Sequence, residues 1–214
     1  MKPYFIKTPG ILEKYFSKYT WRFNADKKEL FLTFDDGPTP KITTFVLDQL
    51  KRYKAKATFF CIGKNIQKNS ALFQRIIEDK HTIGNHTQQH LNGWKNNTEA
   101  YIHDFLKCEH TISNLIEKPQ ETRIFRPPYG KIKKRQAKEI LKKNYRIVMW
   151  DVLSADFDSS ISKEKCLENV LKNTKNGSII VFHDSVKASE KVQYALPKVL
   201  EYFSKKGYLF KAIQ

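Results

Sequence analysis

Two groups of polar residues in this sequence have the types and spacing that metal-assisted hydrolysis needs. The first is the pair Asp35 and Asp36, inside residues 33–38, and the second is the pair His86 and His90. One carboxylate and two imidazoles can bind a divalent ion while leaving coordination positions open for water and substrate. The other aspartate would then be free to act as a base. The sequence therefore indicates a hydrolase, and at this point either aspartate could take either role.

The four-residue spacing of the histidines predicts a helical turn with both imidazoles on one side. No glutamate follows His86, which excludes the His-Glu-x-x-His pattern of metalloproteases. Each group taken alone also fits an ordinary role. Asp-Asp-Gly-Pro is common turn chemistry, and two histidines can simply lie on a surface.

A third group, residues 126–130, reads Arg-Pro-Pro-Tyr-Gly. The guanidinium of Arg126 is a permanent cation that could hold an aspartate bidentately and keep it ionised. The prolines fix the backbone, and the turn after them exposes N–H groups suited to binding an oxyanion. A rigid loop with a surface arginine is the alternative interpretation.

His183 forms a fourth group, because it follows an apolar run that predicts a buried strand. A histidine beside a carboxylate can act as a general acid, since the negative charge raises its pKa. A half-buried histidine with a purely structural role is the alternative. His81, His103 and His110 lie outside any such group and are taken as ordinary.

The elements that must position these residues alternate between short apolar strands and amphipathic helices. Alternation at this spacing predicts a parallel sheet with helices outside it, and seven strands suggest a closed or nearly closed barrel. An open doubly wound sheet is the alternative. Strands are predicted at 29–35, 56–62, 82–85, 123–126, 145–151, 178–183 and 208–212, and helices at 41–53, 70–80, 98–116, 133–143, 162–174 and 190–205. Residues 1–28 are predicted to be an N-terminal extension, with a helix at 11–19, and residues 29–214 the single domain.

The polar residues singled out above lie at or just past the C-terminal ends of predicted strands. That edge of a parallel α/β sheet is where ligands bind and chemistry takes place. The residues so placed are Asp35, Asp36, His86, Arg126, Asp151 and His183.

Length and composition restrict which other classes of protein the chain could belong to. The chain has 214 residues, enough for one domain with a proper core, and a net charge of +17 that should attract polyanions. The basic residues are scattered, which favours solvated helix faces over a specific polyanion site, and no nucleic-acid-reading motif is present. Three cysteines without close spacing argue against disulfides and against a cysteine-ligated zinc.

The N-terminal residues lack the apolar run of a signal peptide, and no segment approaches the roughly 18 apolar residues of a membrane span. We therefore expect a soluble, cytoplasmic protein, with export by a cryptic route as the alternative. A monomer is favoured, and no specific nucleic acid is expected to bind.

In this order the motifs resemble those of the polysaccharide deacetylase family, the NodB-homology domain of carbohydrate esterase family 4. The resemblance covers residues 29–212 and implies a distorted (β/α)7 barrel. It also implies metal-dependent removal of N-acetyl groups from amino-sugar polysaccharides or oligosaccharides, of peptidoglycan or chitooligosaccharide type. The expected partner is thus an N-acetylated glycan.

The resemblance further implies a role for each matching residue. Asp35 would be the general base, oriented by Arg126, and His183 the general acid, tuned by Asp156, with Asp151 as a second candidate for that carboxylate. The backbone N–H of Tyr129 would bind the oxyanion. The ligands of a divalent metal, usually zinc in such proteins, would be Asp36, His86 and His90.

Two departures from the family pattern concern the substrate pocket. The family's fourth motif is often Asp-x-x-Asp-Trp, whereas here its last residue is Phe157, which can wall an acetyl pocket without an indole donor. Val181 stands where the family usually has leucine at the pocket floor. A deacylase of another small amide or acetyl ester is therefore an alternative function, and a non-catalytic carbohydrate-binding protein on the same fold is another.

Overall fold

One parallel sheet forms the centre of the molecule in a computed structural model that describes residues 4–23, 26–116 and 122–214. The strands run in the order β5-β4-β3-β2-β1-β7-β6, and β8 pairs with the start of β1. Every one of these pairings is parallel. The strands are β1 (Glu29–Asp35), β2 (Thr58–Cys61), β3 (Thr82–Asn85), β4 (Ile124–Phe125), β5 (Arg146–Ile147), β6 (Val152–Leu153), β7 (Ile179–His183) and β8 (Leu209–Phe210).

The strand order is the cyclic order of a barrel with one break. Each strand from β1 to β5 lies beside its neighbour in sequence, and β7 pairs back onto β1, while the order is interrupted between β5 and β6. The prediction of a distorted (β/α)7 barrel is confirmed, and the open doubly wound alternative is wrong. The short strand β8 is the strand predicted at 208–212, and β6 is the strand that was not predicted.

Residues 4–23 lie against the sheet at this break. Lys7 pairs with Val152 of β6, and Thr20 pairs with Val148, which follows β5. The helix predicted at 11–19 is shorter, α1 (Gly10–Tyr15), and the chain then turns. The first three residues of the predicted extension, and residues 24–25, lie outside the described ranges.

Helices connect the strands on the outside of the sheet. They are α2 (Ile42–Arg52), α3 (Gly63–Lys68), α4 (Ser70–Glu78), α5 (Thr98–Ser113), α6 (Lys134–Lys142), α7 (Lys163–Asn173) and α8 (Ser189–Lys205), with short 3-10 turns at Gly93–Lys95, Pro128–Gly130 and Val186–Ala188. None of the helices in the described part of the chain is both long and apolar enough to cross a membrane.

In the central strand β1, alternate side chains point to the two faces of the sheet. Leu30, Leu32 and Phe34 pack in the main core cluster with residues of α2 and α8. Successive residues of a strand point to opposite faces, so Thr33 and Asp35 face the inside of the barrel. Both faces of β1 are buried, as is usual for a strand in the middle of a parallel sheet. The three cysteines are buried free thiols, as predicted.

Two further elements differ from the prediction. The strand predicted at 145–151 ends at Ile147, where Thr20 donates to the Ile147 carbonyl and accepts from the Met149 N–H, and β6 begins only at Val152. Helix α3 was not predicted, because only Gly63 and Ile66 of its residues are buried and the helical period of apolar residues is missing.

Candidate active site and metal centre

The C-terminal edge of the sheet brings together residues from four strands. Asp35 and His183 end β1 and β7 and are direct partners in the register of those strands. His86 follows β3, and Arg126 follows β4. Asp151 is the exception and a wrong prediction, because it precedes β6 and therefore lies at the opposite end of a strand.

Asp36, His86 and His90 form a cluster whose ligand atoms all lie within 4.8 Å of one another. Asp36 Oδ1 is 3.2 Å from His90 Nε2 and 3.7 Å from His86 Nε2. His86 Nδ1 is 2.7 Å from the Arg126 carbonyl oxygen and therefore donates to it, which leaves the Nε2 lone pair free. His90 Nδ1 lies 3.1 Å from the hydroxyl of Tyr129. Both imidazoles thus present Nε2 toward one carboxylate, so these residues fit a divalent cation.

The pKa values of the two histidines are lowered, which favours the ligating form. Burial is the largest cause for both rings. For His90 the neighbouring His86 adds to it and lowers the pKa to about 4, against the opposing charges of Asp36 and Asp35. A metal binds the neutral imidazole, so the ligands need not lose protons at neutral pH.

The predicted helical turn at His86–His90 is wrong, although the two rings do converge, 5.1 Å apart. This segment is a loop in which Thr87 and His90 have positive φ. Side chains from outside the loop's tip hold it: Asn85 accepts from the Thr87 N–H at 2.9 Å, and Asp104 of α5 accepts from the Gln89 N–H at 3.0 Å.

The loop that carries Asp36 is fixed by residues to which the sequence assigned no role. Asp36 has a φ of 82°. Asn65 of α3 donates to the Asp36 carbonyl at 2.7 Å, and the buried Asp184 accepts from the Gly37 N–H at 3.0 Å and from the Thr43 hydroxyl. Burial first, and then the charge of Asp36, raises the pKa of Asp184 to about 7 against these hydrogen bonds. The only sequence signal for Asp184 is its place directly after β7.

Asp35 is buried and paired with a fully buried arginine. Arg126 Nη1 donates to Asp35 Oδ1 at 2.7 Å and to the Thr33 hydroxyl at 2.7 Å. The remaining donors of Arg126 reach the carbonyl oxygens of Val148 and Met149 at 3.2 and 2.8 Å. The predicted bidentate contact is wrong, because one guanidinium nitrogen donates to one oxygen of Asp35. The other guanidinium nitrogens donate to backbone carbonyls.

His183 is held by Asp156 through both carboxylate oxygens. Asp156 Oδ1 is 2.7 Å from His183 Nδ1, and Oδ2 accepts from the His183 backbone N–H at 2.7 Å. Burial is the largest single effect and opposes the charged ring, but the charge and hydrogen bond of Asp156, with Asp36 and Asp35, outweigh it and raise the pKa of His183 to about 10. Asp151 instead bonds Lys7 and Ser178, so it is not the carboxylate behind His183.

The pocket residues predicted from the resemblance lie beside these groups. The ring of Phe157 meets His183 edge to face at 5.1 Å, and the ring of Tyr4 lies 5.5 Å from Phe157. Val181 is buried in β7 two residues before His183, on the same face. Tyr129 is 60% exposed with a φ of 60°, and its N–H as an oxyanion donor stays a prediction.

A cleft of about 450 Å³ opens beside the cluster. Asp36 and His90 line it, together with residues such as Lys64, Asn65 and Val186. Two of the candidate metal ligands, Asp36 and His90, therefore line a cleft, and the buried carboxylate Asp35 and the imidazole of His183 lie at the adjacent strand ends. Such a set can activate water and protonate a leaving group.

Comparisons with known proteins give one consistent result. The family model described as polysaccharide deacetylase matches residues 23–148. A peptidoglycan-N-acetylglucosamine deacetylase of Bacillus cereus is 34% identical over 195 residues, which cover 91% of this chain and 90% of that protein. Peptidoglycan-N-acetylglucosamine deacetylase PgdA of Listeria monocytogenes is 33% identical, with coverage of 87% of this chain and 38% of that protein. The crystal structure of the Bc1960 peptidoglycan N-acetylglucosamine deacetylase superposes with a TM-score of 0.86 at 35% identity, covering 96% of this chain and 95% of that one.

Proposed function

The chain belongs to the polysaccharide deacetylase family, and from this premise we propose that it is a metal-dependent hydrolase that removes N-acetyl groups from a peptidoglycan-type glycan. One observation carries the proposal. Asp35 and His183 are register partners at the ends of β1 and β7, and the ligand set of Asp36, His86 and His90 lies beside them. A base, an acid and a metal site close together are the parts that hydrolysis of an unactivated amide requires.

The residues of this chain would divide the reaction as follows. Asp35, held by Arg126, accepts a proton from the attacking water as the new C–O bond forms. The Tyr129 N–H donates to the developing oxyanion. His183 gives its proton to the amide nitrogen as the C–N bond breaks, so that the products are acetate and a free amine. That last transfer is needed because an unprotonated amine anion is a very poor leaving group.

A divalent cation bound by Asp36, His86 and His90 would polarise the acetyl carbonyl and lower the pKa of the attacking water. Two neutral imidazoles and one carboxylate are typical ligands of catalytic zinc, and we propose zinc as the ion. Metal analysis of the purified protein, followed by chelation and addition of single divalent ions, tests this identity.

The glycan is proposed from similarity and from charge. The relatives from Bacillus cereus and Listeria monocytogenes are named for peptidoglycan N-acetylglucosamine. A net charge of +17 suits an anionic polymer such as peptidoglycan, chiefly by raising the rate of encounter. The test is acetate release from peptidoglycan, N-acetylglucosamine oligomers and acetylated xylan. Release from xylan alone would replace the proposed amidase with an esterase.

The first prediction separates the two adjacent aspartates. Asp35→Asn should lower turnover by about 10²- to 10⁴-fold, the range of general-base contributions, with metal content unchanged. Asp36→Asn should lose the metal together with the activity, because that carboxylate faces both His Nε2 atoms. Turnover and metal content are measured on the same preparations. Metal loss in the Asp35 variant with retention in the Asp36 variant would mean that the two roles are reversed.

A further inference from the structure

An exposed tryptophan four residues after His90 is held by hydrogen bonds. Trp94 is 60% exposed, although its backbone N–H donates to the Asn92 side chain at 3.0 Å and its indole N–H to the Ile132 carbonyl at 3.3 Å. The ammonium of Lys131 lies 5.2 Å from the centre of the indole. A large aromatic ring that is fixed in this way and left open to solvent offers a flat apolar surface to a ligand, and tryptophan is among the residues enriched at binding hot spots.

This tryptophan is joined to the active-site loop. The Gly93 N–H donates to the Lys131 carbonyl at 3.1 Å, and a Cβ at Gly93 would lie 2.4 Å from that oxygen, so the two loops are in close contact. Two residues before Lys131 is Tyr129, whose ring is also exposed and lies 4.5 Å from the ring of His90. A continuous series of contacts and chain neighbours thus connects the metal ligand His90 with Trp94.

The chemistry of this surface suits a sugar ring. A pyranose presents an apolar face of C–H groups that stacks on an aromatic ring, while its hydroxyls stay in water. An ammonium beside the stacked ring can pair with a carboxylate carried by the glycan. A polymer lying across the metal site would extend beyond the reacting sugar on at least one side, and Trp94 offers a flat surface there.

We propose that Trp94 and Lys131 form a subsite for a sugar unit that flanks the reacting one, with Lys131 favouring units that carry a carboxylate. This proposal rests on the proposed function, because it takes the occupant to be the same glycan chain. Trp94 supplies the stacking and therefore the affinity for chain length. Lys131 supplies a preference for charge.

The test measures binding by calorimetry in an Asp35→Asn background, where the glycan is not consumed. In this background Trp94→Ala should weaken binding of the N-acetylglucosamine tetramer about tenfold, as loss of one stacking contact implies, and leave binding of single N-acetylglucosamine unchanged. Trp94→Phe should retain most of the affinity. Lys131→Gln should weaken only a tetramer that carries carboxylates.

Tyr202→Ala is the matched control, because Tyr202 is an exposed aromatic residue of α8 with Lys206 over its ring at 4.2 Å. It should leave the tetramer affinity unchanged. Equal tetramer affinity with and without Trp94, in variants with normal circular dichroism, overturns the subsite. If the unmodified protein releases no acetate but tetramer binding still depends on Trp94, the subsite stands and the proposed function fails.

Discussion

Two adjacent aspartates acquire different environments from one backbone change. Asp35 ends β1, is 4% exposed and contacts the buried guanidinium of Arg126. Asp36, with its φ of 82°, turns out of the strand toward the two histidines. Neighbouring carboxylates therefore need no difference in residue type to take different roles. The separation comes from the conformation of one residue and the burial of one cation.

Removal of the Asp156 charge should move the alkaline limb of the pH–rate profile. His183 must be protonated to act as the acid, so the rate falls as pH rises through its pKa, which Asp156 raises. In Asp156→Asn the limb should therefore move to lower pH, by about 1–3 units. Asp158→Asn is the control, because that carboxylate bonds Tyr4 and Ser160 instead. An unmoved limb in the Asp156 variant would remove His183 from the proton transfer.

At the scale of elements, the turn after β1 depends on the absence of a side chain at Gly37. A Cβ there would lie 1.9 Å from Asp184 Oδ2, and Asp184 cannot move freely because it is buried. Gly37→Ala should displace the adjacent Asp36 and weaken metal affinity by about ten- to a hundredfold. A titration with a metal indicator measures the affinity. Gly10→Ala, where no atom lies within 4 Å of a new Cβ, should bind metal normally. Normal affinity in both variants would contradict the argument.

The connection from α4 to β3 carries a buried histidine that should make stability depend on pH. Burial, and then the charge of Lys56, lowers the pKa of His81 from 6.5 to about 4, and its Nδ1 accepts from the Ala57 N–H. The unfolded chain therefore binds more protons between these values. Stability from this group is complete above pH 6.5 and is lost as pH falls toward 4.

Between pH 7 and pH 5, His81 should thus reduce the free energy of unfolding by about 2 kcal/mol. Urea unfolding at the two pH values measures this change in the wild-type protein and in His81→Gln, where the increment should be missing. His103→Gln, an exposed site on α5, should keep the wild-type difference. The same loss in the His81 variant would assign the pH dependence to other groups.

At the scale of the whole molecule, the sequence pattern predicted the strands and helices that short-range interactions determine. The run from Glu29 to Asp35 is buried on both faces, and its strand bounds match the prediction. The histidine pair converges as expected but on a loop, which is fixed in part by the contact with Asp104, 15 residues from Gln89, and no local pattern encodes that contact. Asp184 and Asn65 were missed for the same reason. Their partners lie far away in the chain.

The sequence pattern predicts little about the role of the N-terminal segment, because the residues that this segment contacts lie well over a hundred residues away in the chain. It was predicted as an appended extension, and that boundary stays a prediction. Its contacts run to both sides of the break in the barrel, through Thr20 and Lys7. Lys7 Nζ is 2.6 Å from Oδ2 of the buried Asp151, and Ser178 also donates to that oxygen. We infer that this ion pair stabilises the packing of the segment against the barrel.

Lys7→Met should leave the Asp151 charge buried without its cation and lower the free energy of unfolding by about 3 kcal/mol. The lower end of the usual range is expected, because the Lys7 side chain is 32% exposed. Adding Asp151→Asn should restore part of the loss, since the uncompensated charge is then gone. Lys14→Met, at an exposed lysine of α1, should change little. Urea unfolding of the wild type, Lys7→Met, Asp151→Asn and the double variant gives the coupling energy, and a coupling near zero would show that the segment is held by its backbone pairing alone.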